Sequence, residues 1–345
     1  MSTEEELPPS KLGTKEYWDK VYEREVGVFE DTGDEGEVWF GERAMQKMRD
    51  WVYANCEPEQ EQRSGEAITK RRIRVMECGC GNATLLLSLL TPPTNNEYGD
   101  QDAEDESQTS AAKPRFLPTQ LTGIDYSEAS IKLAQGVAER RRDMWKRRVE
   151  RAKKAARGDD EPTHDEASES SEDEEDDYDS EDEEALSPAT LQLDDPLLTQ
   201  LPLFLAGDLL TFRSIRDLYA SLPGSSPHKT RQDINEPWDL VLDKGTFDAL
   251  ALSQETIPIP RVKQDGSEVT EQRLPSAVYP EKVAQLVRKG GFFLITSCNF
   301  TEQEIKSRFG KPELGFEFHS RVSHPSFSFG GQTGSSVCTV AFRKL

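Results

Sequence analysis

Four acidic residues each close an apolar run in this 345-residue chain, and the residues around them suggest a use for each. Glu77 ends Val75-Met76 and leads into Cys78-Gly79-Cys80-Gly81-Asn82. Asp125 ends Leu121-Thr122-Gly123-Ile124 and is followed by Tyr126 and Ser127. Asp208 comes after Leu203-Phe204-Leu205-Ala206-Gly207 and before Leu209. Asp243 ends Trp238-Asp239-Leu240-Val241-Leu242 and opens the run Asp243-Lys244-Gly245-Thr246-Phe247-Asp248. Glycines at a strand-to-helix turn allow a ligand to approach the backbone, and the start of the following helix offers unpaired N–H groups. A carboxylate two residues ahead of Gly79 would repel a phosphate, so this turn suits a cationic or hydroxyl-rich ligand. A carboxylate at the carboxyl end of a strand, like Asp125, accepts both hydroxyls of a ribose. The competing reading for Asp125, Asp208 and Asp243 is a cap on the next helix.

The elements that hold these residues alternate. Apolar runs predict strands over 74–77, 120–125, 203–206, 238–243 and 291–296, with 315–319 and 336–343 as a closing pair. Helical spacing predicts helices over 11–26, 42–54, 84–90, from 127 onward, over 247–252, 280–288 and 302–308, and a broken one over 209–222. Alternating strands and helices imply an α/β fold with a mostly parallel, doubly wound sheet, and the two final strands suit an antiparallel edge hairpin. Tyr17, Trp18, Val21 and Tyr22 share one face of the first helix; Met45, Met48, Trp51 and Val52 share one face of the second. The stretches 91–114, 222–236 and 254–275 are polar or proline-rich and are expected as loops. Gly79 and Asp125 lie more than twice the usual ~20 residues apart, an excess that the 91–114 insert explains if it loops out of the sheet.

Charge divides the chain unevenly. Residues 159–184 hold seventeen Asp and Glu and neither Lys nor Arg, and removing them from the net −23 leaves −6 for the other 319 residues. Such a segment buries too little apolar surface to offset the entropy of ordering, so 158–188 is expected to be disordered, as is the tail 1–10. It follows the run 140–157 with its ten Lys and Arg, which suits either a solvated helix neutralised by the acidic run or a nuclear-localisation or nucleic-acid patch. Ser170 and Ser171 stand before acidic clusters that an acid-directed kinase would read. Cys56, Cys78, Cys80, Cys298 and Cys338 form no disulfide framework. Cys78-Gly79-Cys80 lacks CxxC spacing and His is scarce, so no metal site is expected. The first ten residues lack the apolar core of a signal peptide, and no apolar run approaches the ~20 residues that span a bilayer. These features point to a reduced compartment, cytoplasmic with the nucleus as a second address, and to no membrane or nucleic-acid partner.

Glu77-x-Gly79-x-Gly81 after a strand resembles motif I of the seven-β-strand, class I methyltransferases. Asp243-Lys244-Gly245-Thr246-Phe247-Asp248 resembles a motif of the protein-lysine methyltransferases of that fold, and the Asn-Pro-Pro-Tyr motif of amide and base N-methyltransferases is absent. Leu12-Gly13-Thr14-Lys15-Glu16-Tyr17-Trp18-Asp19 and Gly36-Glu37-Val38-Trp39-Phe40-Gly41-Glu42 are similar to the N-terminal region of the group that modifies translation elongation factor 1-alpha. The resemblance spans nearly all of the chain outside the inserts. It implies a Rossmann-like seven-stranded sheet in one domain over 11–345, with a helical pre-core over 11–55, acting as a monomer. It implies S-adenosyl-L-methionine as cofactor, held by Glu77, Gly79, Cys80, Gly81, Asn82, Asp125, Tyr126, Asp208, Leu209 and Asp243. Asp125 would take the ribose, and Asp208 and Leu209 the adenine. It implies an acceptor channel walled by Trp39 and Phe40, with Asp243 orienting the amine of an elongation-factor lysine. The acidic insert departs from the family pattern.

Three other readings stay open at this point. One is a methyltransferase of another protein or a small molecule on the same fold. Another is an NAD-dependent oxidoreductase, which would prefer a third glycine where Thr84 stands. The last is an acidic chaperone that binds basic proteins through 158–188.

Overall fold

The computed structural model describes residues 6–64, 67–93, 115–157, 191–224, 226, 228, 232–262, 267–329 and 332–345. The acidic stretch 158–188, most of the 91–114 insert and half of the 1–10 tail lie outside the described residues, as do Ser170 and Ser171.

A seven-stranded sheet organises the chain. Its strands are β1 (Val75–Cys78), β2 (Leu121–Asp125), β3 (Leu203–Ala206), β4 (Trp238–Lys244), β5 (Val287–Ser297), β6 (Phe316–Val322) and β7 (Cys338–Lys344), in the spatial order β6-β7-β5-β4-β1-β2-β3. β4, β1, β2, β3 and β5 run parallel, and β7 lies antiparallel between β5 and β6. The expected closing pair is therefore present, with β6 as the edge. From β1 the chain builds outward through β2 and β3, then returns to place β4 on the other side of β1. Ligands of doubly wound sheets bind at such a reversal, outside the carboxyl ends of the strands. All four acidic residues singled out above lie at or just past those ends.

Both faces of the sheet are covered, so its central strands are buried throughout. Alternation sends Val75, Leu240, Leu242 and Leu294 to one apolar layer and Met76, Val241, Phe293 and Ile295 to the other. The first layer packs under α1 (Lys15–Thr32), α2 (Glu42–Asn55), α3 (Thr84–Ser88) and α4 (Glu128–Arg157). The second packs under α5 (Thr246–Ala251), α6 (Pro275–Leu286) and α7 (Glu302–Phe309). Met48 and Val52 of α2 are wholly buried, in line with the apolar face seen in the sequence.

Four expectations change. A short turn at Lys11–Gly13 precedes α1, which runs on to Thr32 because Phe29 packs against α4; Gly33, with φ +80°, then stops it. The stretch 254–275 contains an antiparallel hairpin, Ile257–Val262 with Glu268–Arg273. Pro258 and Pro260 argue against a strand, but prolines two apart present the same edge, and in a two-stranded ribbon that edge can face away from the partner. α6 starts at Pro275, where a missing N–H is harmless, and carries Pro280 inside; 287–289, read as helix, opens β5. The broken helix over 209–222 is a short 3-10 turn at Ile215–Tyr219.

α4 is 30 residues long, about 45 Å at the α-helical rise, and extends well past the sheet. Trp145 and Val149 in its basic half pack on Leu191, Leu197 and Leu198, so this half is one wall of a satellite core as well as a charged face.

Candidate active site

The turn after β1 is held from three sides. Gly79 (φ +59°) and Gly81 (φ +54°) take left-handed conformations, and a Cβ on Gly79 would lie 2.1 Å from the Thr246 hydroxyl. Only glycine fits there. The Asp125 carboxylate accepts the N–H of Gly81 at 3.2 Å and that of Ser127 at 2.9 Å, while Ser130 Oγ donates to the Gly81 carbonyl. The end of β2 thereby fixes both the glycine turn and the start of α4. Burial pushes the Asp125 carboxyl above its usual pKa, and the N–H donors pull the other way. Tyr126 is half-buried with Lys15 of α1 over its ring. Cys80 is buried and its thiol is raised by that burial, which leaves it unreactive.

Glu77 is 2% exposed and its Oε2 has no partner among the described residues. Desolvation raises its pKa, and the charge of Lys244 opposes the rise. Lys244 donates to the carbonyl of Trp39 at 3.1 Å, and its own pKa is lowered by burial. Lys244 is thus a buried tie between β4 and the segment that holds Trp39.

That tie fastens the segment 33–41 over the carboxyl ends of β1 and β4. Asn82 fastens it again, its amide donating to the carbonyls of Glu35 and Glu37 at 2.9 and 3.4 Å. Arg141 of α4 binds Glu35 as well. Trp39 lies edge-on to Trp18 at 5.0 Å, and Trp18 stacks on Tyr22. Phe40 holds φ +67° without being glycine, and its ring comes within 2.9 Å of where a Cβ on Gly245 would sit. Such strain persists where surrounding contacts over-determine it, often at a site. Beneath the segment, Glu25 of α1 is buried with an unpartnered Oε2, and desolvation raises its pKa.

Asp243 is 0% exposed. Its oxygens accept the N–H of Thr246 at 2.8 Å, the N–H of Phe247 at 3.2 Å and the Tyr279 hydroxyl at 2.7 Å, so it caps α5 and ties it to α6. Burial raises its pKa to about 7 despite those donors. As placed, it has no exposed surface, and these three donors all come from within the fold. Asp208 is exposed and accepts the N–H of Leu210 and the Thr211 hydroxyl, and Leu209 beside it is buried. Asp248, in the first turn of α5, is 5% exposed. Its Oδ1 accepts from Ser297 Oγ and the Asn299 N–H, each at 2.8 Å, while Oδ2 has no partner. Burial raises its pKa to about 6.

The structure thus gathers Trp39, Phe40, Glu77, Gly79, Cys80, Gly81, Asn82, Asp125 and Tyr126 around one reversal point, with Asp208 and Leu209 past the end of β3. Sequence reading missed Tyr22, Glu25, Lys244, Asp248 and Tyr279. Tyr22 was visible as a helix-face aromatic, and nothing in the local sequence of Tyr279 links it to Asp243. A Cβ on Gly81 would sit 2.7 Å from the Tyr22 hydroxyl, which places that hydroxyl beside the turn. The site is rich in acceptors: Glu25, Glu77 and Asp248 each hold one buried carboxylate oxygen without a donor. Unmet acceptors of this kind fit a ligand that carries positive charge or N–H groups. No group of His, Cys, Asp and Glu among the described residues has the arrangement of a metal centre.

No protein-family model matches the chain. Among curated proteins it is similar to the protein-lysine N-methyltransferase efm4 of Schizosaccharomyces pombe, with 32% identity covering 98% of this chain and 95% of that protein. It is 26% identical to the human EEF1A lysine methyltransferase 2, covering 99% of this chain and 90% of that protein. The protein-lysine N-methyltransferase EFM4 of Saccharomyces cerevisiae is 27% identical over 98% of this chain and 97% of its own length. Among solved structures, the N-methyltransferase NodS of Bradyrhizobium japonicum in complex with S-adenosyl-L-homocysteine aligns at a TM-score of 0.38 and 10% identity, covering 95% of this chain and 98% of that one.

Proposed function

Since the chain belongs to the protein-lysine N-methyltransferase family of efm4 and EEF1A lysine methyltransferase 2, we propose that its acceptor is a lysine of translation elongation factor 1-alpha. It is an S-adenosyl-L-methionine-dependent enzyme that acts on a protein. One observation carries the acceptor: the 32% identity runs over 98% of the chain, so it takes in the glycine turn, the segment 33–41 and the Asp243–Asp248 run together.

The residues present fit the cofactor. Its ribose suits Asp125, whose carboxylate already stands at the end of β2 with Tyr22 beside it. Its amino-acid end suits the Gly79–Gly81 backbone, with the spare oxygen of Glu77 for the ammonium. Its adenine suits Asp208 and Leu209. When bound, it supplies a methyl group on a positively charged sulfur that leaves as a neutral thioether.

The rest of the chemistry is the protein's. A free lysine has a pKa near ~10.4, so the acceptor must shed a proton before it can attack. Trp18, Trp39 and Phe40 exclude water from the reversal point, and desolvation favours the neutral amine. Holding amine and methyl in line supplies much of the remaining acceleration. The segment 33–41 closes the site through Lys244 and Asn82. We propose a monomer of the cytoplasm with the nucleus as a second address, which fractionation and light scattering test.

The central test uses radiolabelled cofactor and unmethylated elongation factor 1-alpha made in bacteria. Label on one lysine of the factor, located by mass spectrometry, is the expected result. Transfer to other proteins of a cell extract but not to the factor would defeat the acceptor assignment.

A further inference from the structure

We infer that Asp248, not Asp243, is the carboxylate that receives the nitrogen of the incoming lysine. The inference rests on the proposed lysine-methyltransferase reading and names a residue that the reading leaves unassigned.

The two aspartates stand five residues apart and differ in what they have left to give. Both oxygens of Asp243 accept donors from its own surroundings, and the group has no exposed surface. Asp248 is held by one oxygen only. Ser297 Oγ and the Asn299 N–H grip Oδ1 at 2.8 Å, and Cys298 Sγ lies 3.9 Å away. Three neighbours on one oxygen fix the plane of the carboxylate and so fix where the second oxygen sits. That second oxygen is buried and has no donor among the described residues. Leaving a buried acceptor unmet is costly, and such groups persist where a ligand completes them.

Its place fits an acceptor better than a cofactor. Glu77 and Asp125 lie at the ends of β1 and β2, on the glycine-turn side of the reversal. Asp248 lies across β4 from them, against the loop that leaves β5. That loop exposes Cys298 and Asn299, so a protein surface can reach the residues that hold Asp248. Asp243 raises the stakes of the pairing, because the two acids disfavour each other's charge. An incoming N–H or ammonium relieves that repulsion.

The chemistry gives the carboxylate a task beyond binding. The acceptor ammonium first loses one proton to solvent. The neutral amine then forms the N–C bond as the C–S bond breaks, and the positive charge moves from sulfur to nitrogen. A carboxylate beside the nitrogen stabilises that arrangement more than the neutral amine that precedes it. The methylated product leaves as an ammonium, and no further reactant is needed.

Asp248→Asn separates the two roles, because an amide oxygen can keep the bonds from Ser297 and Asn299 while the charge and the spare acceptor are lost. With unmethylated elongation factor 1-alpha as acceptor, kcat/KM should fall at least about 30-fold, the size expected for one charge-assisted hydrogen bond. The dissociation constant for S-adenosyl-L-homocysteine, by calorimetry, should stay within about twofold, and the melting temperature within a few degrees. Unchanged kcat/KM, or a loss of cofactor affinity as large as the kinetic loss, would overturn the inference. Ser297→Ala is the second variant, since it weakens the grip but keeps the carboxylate. It should cost more stability and less kcat/KM than Asp248→Asn, and the reverse ranking would make Asp248 a strut. The wild-type chain, assayed alongside, separates this inference from the premise. A wild type that binds the cofactor yet methylates no lysine sinks both, whereas an active wild type with an equally active Asp248→Asn sinks the inference alone.

Discussion

β4 carries an aspartate near each end, and the two ends treat it oppositely. At the amino end, Asp239 is gripped by Arg71 with two hydrogen bonds, by Arg288 at 3.1 Å and by the N–H of Arg74 at 2.8 Å. At the carboxyl end, Asp243 and Asp248, with Glu77 and Asp125 on the neighbouring strands, have N–H, hydroxyl and thiol partners but no ion pair among the described residues. Three of these carboxyls have pKa values raised to about 6 or beyond by burial. A buried acid that is paired belongs to the architecture, and an unpaired one is an unmet demand. The amino edge is finished within the chain, while the carboxyl edge is completed by what it binds.

Substitutions can break that contrast. The largest effect is expected from Asp243→Ala, which leaves the N–H groups of Thr246 and Phe247 and the hydroxyl of Tyr279 buried without an acceptor. Urea unfolding should show a loss of about 3 kcal/mol or more, with cofactor affinity falling as the fold loosens. Full stability with activity alone abolished would return Asp243 to the catalytic role that the sequence suggested. Asp125→Asn should raise the dissociation constant for S-adenosyl-L-homocysteine about 30-fold, because a charged acceptor for two hydroxyls becomes a neutral one. Its melting temperature should fall by a few degrees, because the amide nitrogen then faces one of the two N–H groups that the carboxylate accepts, and an unchanged affinity would end the ribose assignment. Arg71→Ala, at the finished edge, should cost about 2 kcal/mol of stability while leaving cofactor affinity untouched; a loss of affinity there would erase the contrast between the edges.

The smallest effect concerns pH. Burial raises the pKa values of Asp243 and Asp248 to about 7 and about 6 in the folded chain, from 3.8 for an ordinary aspartate. The folded chain therefore binds more protons than the unfolded chain between those values, and stability falls as pH rises. In the cofactor-free protein, the melting temperature should decline by a few degrees from pH 5 to pH 8. Asp248→Asn should flatten the part of that decline below about pH 6. A melting temperature that climbs over this range would show that the folded carboxylates are not desolvated.

Much of this was legible in the chain. The five parallel strands, the glycine turn and the carboxylates at strand ends follow from apolar periodicity and glycine placement, which act over a few residues. The hairpin at Ile257–Val262 was hidden because its prolines spoke against a strand, and only the pairing register shows which edge they face. The burial of Lys244 was not legible either, because burial of a long side chain depends on what folds over it, here Trp39, 205 residues away in sequence.

The chain alone dictates acids at the ends of successive strands, since strand alternation and turn chemistry are local. It could not apportion their work. Whether a carboxylate caps a helix, holds a glycine turn or keeps one oxygen for a ligand depends on donors from distant elements, such as Tyr279 for Asp243 and Ser297 for Asp248. Each donor met within the fold leaves a carboxylate fewer lone pairs for a substrate, and only the tertiary structure counts how many are met.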